Sequence, residues 1–102
     1  MKVVILFKGS NCAPCKVFEP LVNKIMEEHG QGLEFLTVTD DVELMQKFGT
    51  RVVPSVVMYH KLPNGGVEVE TVLSGAIRSK TLEDAVYRLK NSVPDSELKP
   101  NY

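Results

Sequence analysis

Tryptophan is absent from this chain, and cysteine and histidine occur only twice each. Two cysteines cannot build the multi-bridge framework of a small secreted domain, so the core has to come from side-chain packing. A structural zinc site needs four ligands, and His29 and His60 lack the paired spacing that would join the cysteines in one. The expectation is therefore no metal and no cofactor. An excess of charge is lacking too: 12 basic and 13 acidic residues leave a net charge of −1, which points to neither nucleic acid nor an anionic membrane as partner. The longest strongly apolar run, Val3 to Phe7 between Lys2 and Lys8, is too short for a signal-peptide core or a membrane span. With no export signal and no structural disulfide pattern, a reducing cytoplasm is the expected compartment.

What is present is an ordinary globular composition, 43% hydrophobic and 25% charged over 102 residues, enough for one packed domain. The apolar run 3–7 is rich in β-branched residues and reads as a strand buried on both faces, hence central in its sheet. Val17, Phe18, Leu21, Val22, Ile25 and Met26 then fall at helical spacing, with Pro20 expected to kink that helix and Gly30 and Gly32 to stop it. Residues 33–39 read as a second strand, joined to the first by a helix and so parallel to it. Asp40 and Asp41 offer an N-cap to a short helix over 42–48, with Glu43 placed for a capping box and Gly49 as its stop. Strands follow at 55–60 and 67–73, and Leu62-Pro63-Asn64-Gly65-Gly66 between them signals an antiparallel hairpin. A last helix is expected from about Lys80 to Asn91, capped by Ser79, with Leu82, Ala85, Val86 and Leu89 on one face. The domain is assigned to 1–92, and 93–102, with Pro94 and Pro100, to a loose tail. His29, His60, Glu68 and Glu70 read as surface residues, and Met26, Met45 and Met58 as core.

The chemistry concentrates in Ser10-Asn11-Cys12-Ala13-Pro14-Cys15-Lys16, where strand gives way to helix. A Cys-x-x-Cys pair there is a redox signature more than a structural one. The helix start presents unpaired N–H groups and the positive end of the macrodipole, both of which favour a thiolate. Bringing a thiol of pKa about 8.5 to half-ionisation at neutral pH takes about 2 kcal/mol, which a partly buried helix N-terminus can nearly supply. Cys12 is accordingly the expected nucleophile and Cys15, one turn further on and deeper, the resolving thiol. Lys8 and Lys16 flank the motif as candidate modulators. Pro14 is tolerated in the first turn because its missing N–H has no helical partner.

The strand before Cys12-Ala13-Pro14-Cys15, Lys16 directly after it, Pro20 five positions on, Phe48-Gly49-Thr50-Arg51-Val52-Val53-Pro54-Ser55, the Asn64-Gly65 hairpin and Gly75 together resemble the thioredoxin family over most of the chain. The resemblance implies an α/β thioredoxin-like fold: a four-stranded mixed sheet of order 2-1-3-4 flanked by three helices, lacking the N-terminal strand and helix of full-length thioredoxins. Read from the residues alone, Pro54 either forms a cis bond or starts an edge strand. The resemblance implies cis, facing the cysteines, with the Val53 backbone open to an extended substrate. It likewise implies that Asn11, Ala13, Pro14, Gly75 and Ala76 contact substrate. The implied activity is reduction of protein disulfides by a monomer, recharged by a flavin-dependent thioredoxin reductase and donating electrons to ribonucleotide reductase. A glutathione-dependent, glutaredoxin-like enzyme and a binding module with incidental redox activity are the alternatives. The sequence departs from the family pattern at Asn11, where a tryptophan is usual, at Ala13, where a glycine is usual, and at Leu6, where a buried aspartate is usual. The lysine that pairs with that aspartate is missing as well.

Overall fold

The computed structural model describes residues 1–95. It contains seven elements: β1 (Lys2–Lys8), α1 (Ala13–His29), β2 (Glu34–Thr39), α2 (Val42–Lys47), β3 (Ser55–Lys61), β4 (Val67–Ser74) and α3 (Ser79–Asn91). The sheet order is β2-β1-β3-β4, with β1 parallel to β2 and antiparallel to β3, and β3 antiparallel to β4. This is the expected thioredoxin-like arrangement of four strands and three helices.

The apolar run of β1 is central because its alternate residues feed two cores. Val4 and Leu6 join the cluster under α1 and α3, with Phe18, Val22, Val56, Met58, Leu82 and Leu89. Val3, Ile5 and Phe7 join the opposite cluster, with Met45, Val57 and Tyr59. Fully burying side chains of this size contributes about 1.5–3 kcal/mol each, which is why a run with no polar alternation cannot sit at an edge. The β3–β4 hairpin closes as the turn residues demand, with Leu62 N–H donating to Gly66 O at 2.8 Å and Gly65 N–H to Leu62 O at 3.0 Å.

Helix α1 runs from Ala13 to His29 with Pro14 in its first turn and Pro20 inside it. Several expectations are corrected. Val17 is no part of the buried stripe of α1 and is 78% exposed, since the buried face runs through Cys15, Phe18, Val22, Ile25 and Met26. Asp41 alone caps α2, its carboxylate accepting from Leu44 N–H at 3.0 Å. That puts Glu43 at the second helical position, one short of where a capping box needs it. Ser79 is the first residue of α3 and Arg78 its N-cap, with no side-chain cap bond.

The alternation of β4 is broken by a register shift opposite Met58 and Tyr59. There Glu70 meets His60, Nε2 to Oε1 3.1 Å, and the same nitrogen lies 3.2 Å from Ser92 Oγ. His60 is therefore buried, not a surface residue, because it shares the face of Val56 and Met58 and the end of α3 covers it. Glu68 is also engaged, accepting from Asp95 N–H at 2.5 Å. Of the segment expected as a tail, 96–102 lie outside the described residues. No described helix is long and apolar enough to cross a membrane.

Candidate active site

The C-terminal ends of β1 and β2, the start of α1 and the loops before β3 and after β4 converge on Cys12 and Cys15. The two cysteines form a disulfide, Cα atoms 5.3 Å apart. Cys12 is the N-cap of α1 in extended conformation, and its Sγ accepts from Cys15 N–H at 3.2 Å. A cap sulfur held this way already faces the positive end of the helix, so the environment that stabilises a thiolate is built into the backbone. Cys12 is partly exposed, whereas Cys15 is 2% exposed and begins the buried stripe of α1. Asn11, Ala13 and Pro14 are all exposed around it.

The Val53–Pro54 peptide bond is cis, and Val53 O lies 3.9 Å from Cys12 Sγ. Among the described residues Val53 enters no backbone hydrogen bond. The loop that carries it is fixed on both sides. Thr50, itself buried, donates its N–H to Met45 O at 3.0 Å and its hydroxyl to Ser55 Oγ at 3.0 Å. Gly75 donates its N–H to Pro54 O at 2.8 Å, and its φ of +85° is a value that a side-chain-bearing residue adopts only with strain. Gly75 thus lies beside Pro54.

The loop before Cys12 is held by residues that the sequence reading did not single out for this role. Asp40, at φ +56°, turns its carboxylate onto Ser10 N–H at 3.0 Å, while its own N–H donates to Lys8 O at 3.0 Å. The Ser10 side chain first, and then that N–H, hold the Asp40 carboxyl below its usual range. A Cβ at Gly9 would come within 3.3 Å of Val53 Cγ2 and 3.4 Å of Cys12 Cβ, so glycine allows the loop to close on both. The signal for Asp40 was the Asp40-Asp41 doublet itself: only one of two adjacent carboxylates can cap the helix.

Lys8 is not left to the cysteines. Its ammonium pairs with Glu19 Oε1 at 2.8 Å, each side chain 28% exposed. The Lys16 side chain is exposed, and its ammonium enters no ion pair or hydrogen bond among the described residues. Leu6, fully buried, occupies the place of an acid on β1, and its neighbours on β2 and β3 are Thr37 and Val56. No three His, Cys, Asp or Glu side chains among the described residues gather around a metal position. The chemistry open to the site is that of the two sulfurs: thiol–disulfide exchange.

A family profile described as Thioredoxin matches residues 1–88. The chain is 28% identical over 86 residues to the chloroplastic M-type thioredoxin of Brassica napus, covering 82% of this chain and 46% of that protein. It is 26% identical over 88 residues to the thioredoxin of Porphyra purpurea, covering 84% and 78% respectively. The chain thus spans less than half the length of the Brassica protein and most of the Porphyra one. Among solved structures, the thioredoxin of Malassezia sympodialis superposes with a TM-score of 0.70 at 27% identity, over 86% of this chain and 74% of that one.

Proposed function

The chain belongs to the thioredoxin family of thiol–disulfide oxidoreductases, and we propose that it reduces protein disulfides with Cys12 as nucleophile and Cys15 as resolving thiol. The observation that carries the assignment is the unequal exposure of the two sulfurs at one helix mouth. The Cys12 thiolate attacks a substrate disulfide, one substrate sulfur leaves as thiolate, and a mixed disulfide joins Cys12 to the other. Cys15, losing its proton, then attacks the Cys12 sulfur. The substrate's second thiolate leaves, and the Cys12–Cys15 disulfide is restored with two electrons passed on. The unpaired backbone of Val53 holds the substrate as an added extended segment, between Asn11, Ala13 and Pro14 on one side and Gly75 and Ala76 on the other.

With Leu6 in the core, no buried carboxylate stands on β1 to take the proton of Cys15, so solvent entering with the substrate accepts it. Lys16 modulates the thiolate more than Lys8 does, because Glu19 holds the Lys8 ammonium. The reading extends to a monomer in the reducing cytoplasm, since both cysteines are spent on the redox pair and none is left for a structural bridge. Recharging falls to a flavin-dependent thioredoxin reductase, and ribonucleotide reductase is a recipient of the electrons. Family membership supports both partners.

The decisive assay is insulin reduction in dithiothreitol, wild type against Cys12→Ser. Catalysis by the wild type and none by the variant is expected; equal, uncatalysed rates for both would reduce the protein to a binding module. Replacing dithiothreitol first by thioredoxin reductase with NADPH, then by glutathione with its reductase, identifies the electron source. Turnover with the first and none with the second is expected.

A further inference from the structure

The walls of the site differ in how their charges are used. Asp40 and Asp41 accept from the neutral N–H groups of Ser10 and Leu44 and keep their charge, whereas Glu19 is paired with Lys8. Three cations on the neighbouring segments have no acidic partner. Lys16 on the first turn of α1, Arg51 just before Val52 and Val53, and Arg78 at the start of α3 are all exposed. None takes part in the four ion pairs among the described residues or in any hydrogen bond through its side chain. The contacts Cys12 Sγ to Val53 O, 3.9 Å, and Gly75 N to Pro54 O, 2.8 Å, bring the three segments bearing them to one rim. Val52, 48% exposed, adds apolar surface beside Arg51.

We propose that this rim selects disulfides lying in extended acidic segments, with Lys16, Arg51 and Arg78 receiving carboxylates that flank the substrate cysteine. The inference rests on the disulfide-reductase reading and names its substrate class. The physical reason is the encounter. An acidic segment approaching the Cys12 thiolate is repelled by it and by the Asp40 carboxylate, and three cations without acidic partners on the surrounding segments offset that repulsion. A field of this kind acts on association rate, by about tenfold or more in favourable cases, and it is screened by salt. The Debye length falls from about 8 Å at physiological ionic strength to about 3 Å at 1 M, so the preference has to vanish at high salt.

The test uses the reduced full chain and short peptide pairs joined by one disulfide, with acidic, uncharged or basic residues flanking the cysteine. Second-order reduction rates are each divided by the rate with dithiothreitol, which removes the peptides' own thiol pKa effects. At low ionic strength the acidic peptide should react about tenfold faster than the basic one, and the ratio should fall below about twofold near 1 M salt. The double variant R51E/R78E should reverse the order. If that variant does not fold, the salt series on the wild type decides alone. Equal normalised rates for the three peptides, all reduced, overturn the charge preference and leave the reductase reading standing. No reduction of any peptide overturns both.

Discussion

Restoring an acid at position 6 probes the feature that most separates this site from its family. Leu6 is fully buried between the sheet and α1, in the cluster with Val4, Phe18, Val22 and Val56. Its lateral neighbours, Thr37 and Val56, carry no charge. Replacing a buried leucine by a smaller side chain costs about 2–5 kcal/mol before polarity is counted. Leu6→Asn meets that cost and the cost of a buried polar group without ionising, so the effect of charge is the stability gap between Leu6→Asp and Leu6→Asn. Near pH 4 the gap should be small, because the folded carboxyl is neutral and the unfolded one, with pKa about 3.9, is about half protonated. At higher pH the unfolded chain ionises freely, while burial keeps the folded carboxyl protonated. The native state then binds the extra proton, and stability falls as pH rises. The slope is about 1.4 kcal/mol per pH unit, so from pH 4 to pH 7 the gap should open by about 4 kcal/mol. That is a large part of the roughly 5–15 kcal/mol that holds a domain together. Urea denaturation of the two variants at steps across this pH range measures it. A gap that stays constant with pH would refute the reasoning, by showing that the position ionises without penalty in the folded chain.

Three further outcomes follow from the same geometry. Cys15→Ser should accumulate mixed disulfides with substrate proteins on a non-reducing gel and Cys12→Ser should not; adducts through Cys15 in the latter would exchange the two roles. Because its folded carboxyl titrates below the unfolded one, Asp40 contributes stability that is fully present above about pH 4 and is lost as pH falls through its depressed value. Asp40→Asn should therefore give a flatter fall in urea midpoint below pH 4, and parallel curves for the two proteins would dispose of that linkage. Burial first, and then the charge of Glu34, raise the Tyr59 hydroxyl above its usual pKa. Stability should accordingly fall as pH rises past about 10, where the unfolded tyrosine ionises first, and Tyr59→Phe should lose less over that interval in the same measurement.

How much was legible in the chain depends on how far each determining contact lies along it. The strand Val3–Phe7, the hairpin at Asn64-Gly65 and the stripe Leu82, Ala85, Val86, Leu89 were readable because periodicity and turn chemistry are local. The cysteine pair was readable for the same reason: only two residues separate the cysteines, and the helix start that conditions them begins at Ala13. Burial of His60 was not, since it depends on Ser92 and Glu70 arriving from α3 and from an irregular pairing in β4. Nor was the exposure of Val17, which fits an apolar pattern yet falls on the side of α1 away from Phe18 and Val22.

The sequence by itself determined the family, the order of elements and the two reacting sulfurs, because short-range steric and hydrophobic patterns encode all three. Only the tertiary structure decided how the charges on the surrounding segments pair. Lys8 is taken by Glu19, Asp40 by Ser10, and Lys16, Arg51 and Arg78 are left open. A charged side chain's partner is chosen by what folding brings within a few ångströms, and position along the chain carries almost none of that information.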